Sequence, residues 1–380
     1  LVTGVQTCAL PILPRYIDST EPEDLQDIEA HLKGGIPLAD IDGLHRYWQV
    51  LPAVRQALFA PVADSARSSA YCQLTVEPSQ IKSTIFGHSE FTTFNQTVTQ
   101  RFAAWKAAHT PLLTGIQLGD RPKALIEKLS ESLLKTFQAF DAALLLDAYD
   151  VYQHLMDYWL DTMQDDVWMI TLEGWLAVQD DKPNVDLIPT ALVVARYFAA
   201  EQQAVEALEA ERDAITRQIE ELDEEHGGDG GLLFEATNEK GKLTRVSVKA
   251  RLAAAQEGGA DVAEPGEIPL LKQYLALIER EATSSKKAKD AQKALDAKVA
   301  AKYAHLAVAA IQTLVVQDKW LATLTASVQS ELDRVSQALT GRIRQLAERY
   351  ATPLPALGDE VEVLAGRVDE HLKAMGFAWN

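Results

Sequence analysis

Two long stretches rich in Ala, Glu, Gln and Lys, separated by a glycine-rich break, constrain this chain more than any other feature. In the first, Val205, Leu208, Ile215, Ile219 and Leu222 recur at alternating steps of three and four, with Arg212 in the one missing seam position. The second begins near Pro269 with Leu271, Leu275, Ile278 and Ala282 and continues to about His305. Such spacing lines apolar side chains along one stripe of a helix, and a stripe of that kind has to be covered. The run "EHGGDGG" at 225–231 stops the first helix, because glycine is a poor helix former and a preferred terminator. A short helical piece near 244–256 and the loop "EGGADVAEPGE" follow. Two helices of similar length around a compact insert predict an antiparallel hairpin, coiled-coil-like but shorter than the about three to four clean heptads of a strong coiled coil.

The flanking sequence reads as mainly helical with a few short strands. Thr20 before Glu21-Pro22-Glu23 is a helix start, with acids at the positive end of the dipole and Pro in the first turn. Gly34-Gly35 stops that helix, and Asp40 or Asp42 is placed to cap the next one, which carries Leu44, Tyr47, Trp48 and Leu51. "AYCQLTV" at 70–76 alternates and is the best strand candidate. Helices are expected at about 89–109, 121–140 and 147–163, the second with Leu125, Leu129, Leu133 and Phe137 in a stripe. "DVWMITLEGW" at 166–175 reads as a short strand and turn. Toward the end, Leu321, Leu324, Val328, Leu332, Val335, Leu339, Ile343 and Leu346 form another stripe, stopped by "TPLP"; a last short helix runs from about Gly358 to Met375, ahead of Phe377 and Trp379. The expected domains are a helical domain at 13–185, the hairpin with its inserted helix at 186–310, and C-terminal helices at 311–380.

Several function classes are disfavoured by composition. A formal net charge of −19 argues against a surface broadly attractive to DNA or anionic lipid. No run approaches the roughly 18 apolar residues of a membrane span. Only Cys8 and Cys72 are present, so no disulfide framework or Cys/His zinc pattern exists, and a cytoplasmic setting fits best. Basic residues gather locally, with Lys286, Lys287, Lys289 and Lys293 as candidate DNA contacts and Lys240, Lys242, Arg245, Lys249 and Arg251 nearby. The same lysines also suit a solvated face that pairs with the Glu-rich first helix.

One cluster suggests chemistry. On a helix, Asp150, His154, Asp157 and Asp161 fall at steps of four, three and four, so their oxygens and ring nitrogen are placed to converge on a metal. A solvated acidic face opposite Leu155, Met156, Tyr158 and Trp159 has the same pattern. Gly228-Asp229-Gly230 follows a helix rather than a strand, which makes it a helix stop and not a nucleotide loop. His88 and His109 are read as capping or turn residues at helix boundaries, and no GxSxG elbow is present.

Residues 1–12 match nothing after them. The segment lacks the cationic start of a secretory signal, and Val2 to Ile12 back-translates into a sequence resembling a widely used sequencing adapter, so we read it as an artefact. From about Leu13 onward, "PRYIDSTEPEDLQDIEAHLKGGIPLADID", "LIEKLSESLL", "YDVYQHLMDYWLDTMQDDVW", "DLIPTALVVARYFAAEQQAVEALEAE" and "LTGRIRQLAERYATPLP" resemble the C-terminal half of the long form of the modification subunit of type I restriction-modification systems. That resemblance implies an S-adenosylmethionine-dependent adenine-N6 DNA methyltransferase in the whole protein. It implies a specificity subunit and a second modification subunit as partners, the restriction subunit as a further one, and DNA met mainly through the complex. The family's Asn/Asp-Pro-Pro-aromatic motif, which holds a flipped adenine, has no counterpart here, since the chain contains no Pro-Pro pair. No strand–GxG–helix for the methyl donor is found either. These residues alone are therefore expected to be catalytically silent and to serve assembly, the catalytic domain preceding Pro14. Val205, Leu208, Ile215, Ile219, Leu222, Leu271, Leu275 and Ile278 are the interface candidates, because a partly satisfied apolar stripe is a surface for a partner helix. Competing readings are a stand-alone metal-dependent hydrolase built on the Asp/His face and a coiled-coil adaptor unrelated to methylation.

Overall fold

The computed structural model describes residues 26–138, 145–258 and 264–375. The helix start at Thr20–Glu23, the terminal Phe377 and Trp379, and part of the 257–267 loop lie outside them. The architecture is mainly helical with short antiparallel strands. In chain order the elements are α1 (Ile28–Lys33), β1 (Ile36–Pro37), α2 (Leu38–Asp42), α3 (His45–Val50), α4 (Pro52–Leu58), β2 (Phe59–Pro61), β3 (Tyr71–Leu74), α5 (Ile81–Gly87), α6 (Ser89–Thr114) and α7 (Pro122–Gln138). There follow α8 (Ala148–Tyr158), α9 (Gln164–Glu173), β4 (Val178–Gln179), β5 (Lys182–Pro183), α10 (Thr190–Tyr197), α11 (Ala199–His226) and α12 (Arg245–Gly258). The last are α13 (Glu267–Tyr303), α14 (Val308–Gln312), α15 (Ala322–Arg349) and α16 (Leu354–Ala374). Among the described residues no single helix is long and apolar enough to cross a membrane.

The described residues divide into two compact units: one made of those that fall within Leu1–Gln100, Gln138–Asp147 and Ser330–Asn380, the other of those within Arg101–Phe137 and Ala148–Gln329. The first holds a three-stranded antiparallel sheet in the order β1-β3-β2, with Ile36 opposite Cys72 and Phe59 opposite Leu74. Gly34 and Gly35 stop α1 as the sequence predicts, at φ of 75° and 93°, a region glycine enters without steric cost. Neither Asp40 nor Asp42 caps the following helix. Asp40 instead accepts from the Tyr350 hydroxyl at 3.0 Å, and Asp42 pairs with Arg55. The N-terminus of α4 is capped from a distance, since Glu90 in the first turn of α6 accepts from the N–H groups of Ala53 (2.8 Å) and Val54 (3.1 Å). Such a cap satisfies donors that the helix cannot pair itself.

In the second unit, Leu125, Leu129, Leu133 and Phe137 of α7 are all buried, as their spacing implies. The β4–β5 hairpin turns through Asp180 and Asp181, both at positive φ, the geometry of a primed turn. The stretch 166–175, expected as a short strand and turn, is instead mostly helix, within α9 (Gln164–Glu173). Asp166, Val167, Ile170 and Thr171 are buried at helical spacing, and Gly174 at φ 89° ends the helix. These residues lie on a helix continuous with α8 through a π-helical segment, Trp159–Met163. Tertiary burial of one face outweighs local strand preference here. His88 does act at a boundary, its Nδ1 accepting from the Glu90 N–H at 3.2 Å. His109, by contrast, lies inside α6, stacked on Trp105 at 4.8 Å.

Candidate functional site

Asp150, Asp157 and Asp161 are exposed and His154 is half-buried, while Val151, Leu155, Trp159 and Met163 on the other side are buried. Asp157 accepts from the Gln153 amide at 2.6 Å. The steps of four, three and four assume an α-helix throughout, but Asp161 falls in the π-helical segment, which changes its angular position. Among the described residues no group of three or more His, Cys, Asp or Glu comes together to hold a metal.

The π-helical segment has a packing role. Buried positions 151, 155, 159, 163 and 167 recur every four residues, a period longer than the 3.6 of an α-helix. The wider turn keeps that stripe on one face. A second π-helical segment, Thr313–Leu321, carries Lys319 and Trp320 inward. Between the two segments lies a buried polar node that sequence reading missed. Lys319 Nζ sits 2.8 Å from both Asp166 oxygens and donates to the carbonyls of Asp186 (2.8 Å) and Leu187 (3.1 Å). The Trp320 indole N–H donates to Asp166 at 2.7 Å. Burial raises the pKa of Asp166 above its ordinary value, against the lowering effect of its hydrogen bonds from Lys319 and Trp320. Burial also pushes the nearby Tyr158 phenol up to about 12. All three ammonium donors have partners, so the node braces the unit.

The hairpin forms as expected, and it closes on itself. Lys298 meets Glu201 at 3.1 Å near one end, and Tyr274 lies beside Asp223 near the other, so α11 and α13 run antiparallel. Val205 and Ile215 of α11 and Leu271, Tyr274, Leu277, Leu295 and Val299 of α13 are buried. Leu208 is half-buried. Ile219, Leu222, Leu275 and Ile278 are half-buried against the insert's core of Leu233, Ala236, Val248, Leu271 and Tyr274. The candidate interface residues are therefore engaged within the chain, and the true α13 seam is rotated from the expected one, with Tyr274 and Leu277 in place of Leu275 and Ile278. The insert is pinned by Arg251, which donates to Glu267 at 2.6 and 3.0 Å, and by a reciprocal cap between Thr244 and Ser247. Glu267 is only 2 % exposed, and the hydrogen bond from Arg251 holds its carboxyl below the usual range.

Lys286, Lys287, Lys289 and Lys293 are all exposed along α13. Two other members of the basic group are committed to ion pairs, Arg245 to Glu279 and Arg251 to Glu267. The glycine-rich turn follows α11 and closes back on the chain. Three of its N–H groups donate to backbone carbonyls of the chain itself, Gly227 to Asp223, Gly231 to Gly228 and Leu233 to His226. A Cβ on Gly231 would fall 2.2 Å from the His226 carbonyl oxygen, so glycine is needed there for a tight helix stop.

Among the described residues two apolar surfaces stand out as open. A groove of about 750 Å³ in the second unit lies along α10, α11 and α13, floored by Ala191, Val194, Ala195, Val299, Ala300 and Tyr303. The second surface is α16, whose residues 354–371 are all exposed. Leu354, Leu357, Val361, Leu364, Val368 and Met375 are 43–71 % exposed along it. The sequence predicts a short helix here without singling out its apolar series, in contrast to the stripe of α15, whose Leu332, Leu339, Ile343 and Leu346 are at most 1 % exposed. Comparison of the chain with protein-family models, with curated proteins and with solved structures finds no match in any of the three.

Proposed function

We propose that this chain is the C-terminal assembly portion of a type I restriction-modification DNA methyltransferase subunit, working in the cytoplasm. The observation that carries the assembly role is the open apolar face of α16, since a sustained exposed stripe of Leu, Val and Met marks a surface for another helix. The extended sequence resemblance supports the choice of family. On this reading the specificity subunit and a second modification subunit are the partners, with the restriction subunit joining later, and DNA is met through the complex. S-adenosylmethionine belongs to the methyltransferase domain that the resemblance places upstream, and no catalytic step is assigned to the residues described here.

The test is methyl transfer from labelled S-adenosylmethionine to adenine in DNA, with the cognate specificity subunit present. Activity is expected when the chain is joined to its upstream domain and absent for residues 13–380 alone, which should still co-purify with the specificity subunit. Neither activity nor a complex in either case refutes the family reading.

A further inference from the structure

We propose that α16 pairs antiparallel with α16 of a second copy of this chain. This deepens the assembly reading by naming what covers its surface, and it rests on that reading only for treating the face as functional. Leu354, Leu357, Val361, Leu364, Val368, His371 and Met375 follow alternating steps of three and four without a break. That is the seam of a two-stranded coiled coil. Among the described residues α1 touches α16, yet every residue from 354 to 371 stays exposed.

The residues beside the seam select the partner and its direction. One flank carries Glu360 and Arg367, and the other carries Gly358 and Ala365. When two such helices run antiparallel, like flanks face each other. With Val361 set opposite the copy's Leu364, Glu360 faces the copy's Arg367, Arg367 faces the copy's Glu360, and Gly358 faces the copy's Ala365. The arrangement is self-complementary and closes on a two-fold axis, so it ends at a dimer. It also opposes the two helix dipoles. A parallel pair would set Glu360 against Ala365 and Arg367 against Leu372, leaving both charges without a counterpart across the interface.

Gly358 adds an independent argument. Glycine is among the poorest helix formers, and a Cβ at this position would meet nothing within 4 Å in the chain's own fold. Nothing among the described residues calls for a small residue there. A second helix approaching closely along that flank does.

Sedimentation velocity on the full chain, over about 1 to 100 µM, tests this directly, with a reversible dimer expected to form in the range of tens of micromolar. Leu364→Asp should leave the chain monomeric. Glu360→Arg should weaken the dimer about tenfold, by turning two attractions into repulsions. The swap E360R/R367E should restore it. Because α16 is exposed, unchanged circular dichroism in each variant confirms that the body is folded. A chain that stays monomeric throughout overturns the proposal, as does a dimer indifferent to Leu364→Asp. A swap no better than the single reversal overturns the antiparallel register. If α16 becomes protected from amide exchange only when the specificity subunit is added, the face belongs to that partner instead. The assay uses the chain alone, so its failure is distinct from a failure of the methylation test.

Discussion

Replacing Lys319 with methionine would remove the ammonium that faces Asp166 while keeping most of the side-chain stem. The two side chains are 10 % and 5 % exposed, so water is a poor substitute. The variant leaves the Asp166 carboxylate with the Trp320 N–H, and it deprives the Asp186 and Leu187 carbonyls of their charged donor. Breaking a buried pair from one side costs about 3–5 kcal/mol, because the surviving charge keeps its desolvation cost without its counter-ion, and a loss of about 4 kcal/mol at pH 7 is expected. The loss carries a pH signature. Burial already raises the folded-state pKa of Asp166. A carboxyl with a raised pKa binds its proton more tightly when folded, so stability falls as pH rises from the unfolded pKa through the folded one, and recovers on acidification. Without Lys319 the folded pKa climbs further. The deficit at pH 7 should therefore shrink as pH drops toward about 4, where the buried acid is neutral. Urea unfolding followed by tryptophan fluorescence suits the measurement, since Trp320 is bonded to Asp166 and lies 6.3 Å from Trp175. A loss below about 1 kcal/mol at pH 7, or one of equal size at every pH, would refute the reasoning. The double variant D166L/K319M should regain most of the stability, with about 1–3 kcal/mol still missing for the stranded N–H and carbonyls.

Other expectations follow from the same kind of argument. Arg251→Ala strands the buried Glu267 carboxylate with the Glu264 N–H and should cost about 3 kcal/mol, read as loss of amide-exchange protection across 233–258. Since the Glu267 pKa is lowered, its contribution is present above the unfolded value and lost as pH falls through the folded one. The insert should loosen in acid in the native chain, and that acid-dependent step should vanish in the alanine variant. Gly231→Ala should cost about 1–3 kcal/mol in chemical unfolding, because its Cβ collides with the His226 carbonyl, whereas Gly228→Ala, with nothing within 4 Å, should be nearly silent. Leu339→Ala should cost about 2–5 kcal/mol, because its 1 % exposed side chain leaves a cavity. Leu364→Ala should cost less than about 0.5 kcal/mol where the chain is monomeric, as its side chain is 49 % exposed.

Much of the fold was legible from periodicity. The stripe of α7, the stripe of α15, the helix stop at 225–231 and the antiparallel hairpin all followed from spacing and glycine placement. Helix hydrogen bonds join residues four apart, so the information for them lies within a short window. Where the reading failed, a distant group had intervened. Residues 164–173 became helix because their buried face packs within the second unit, and α4 takes its cap from Glu90 on another helix. The Asp166–Lys319 node joins residues 153 apart in the chain, and no local pattern announces it.

The sequence by itself determined which segments are helices and which side of each is apolar. Only the tertiary structure decided what lies against that side. The stripes of α11, α15 and α16 look alike as spacing, yet the first is closed by α13, the second is buried, and the third faces solvent. Spacing records the direction in which a side chain points. Whether that direction holds water, the chain's own core or a partner depends on residues tens to hundreds of positions away.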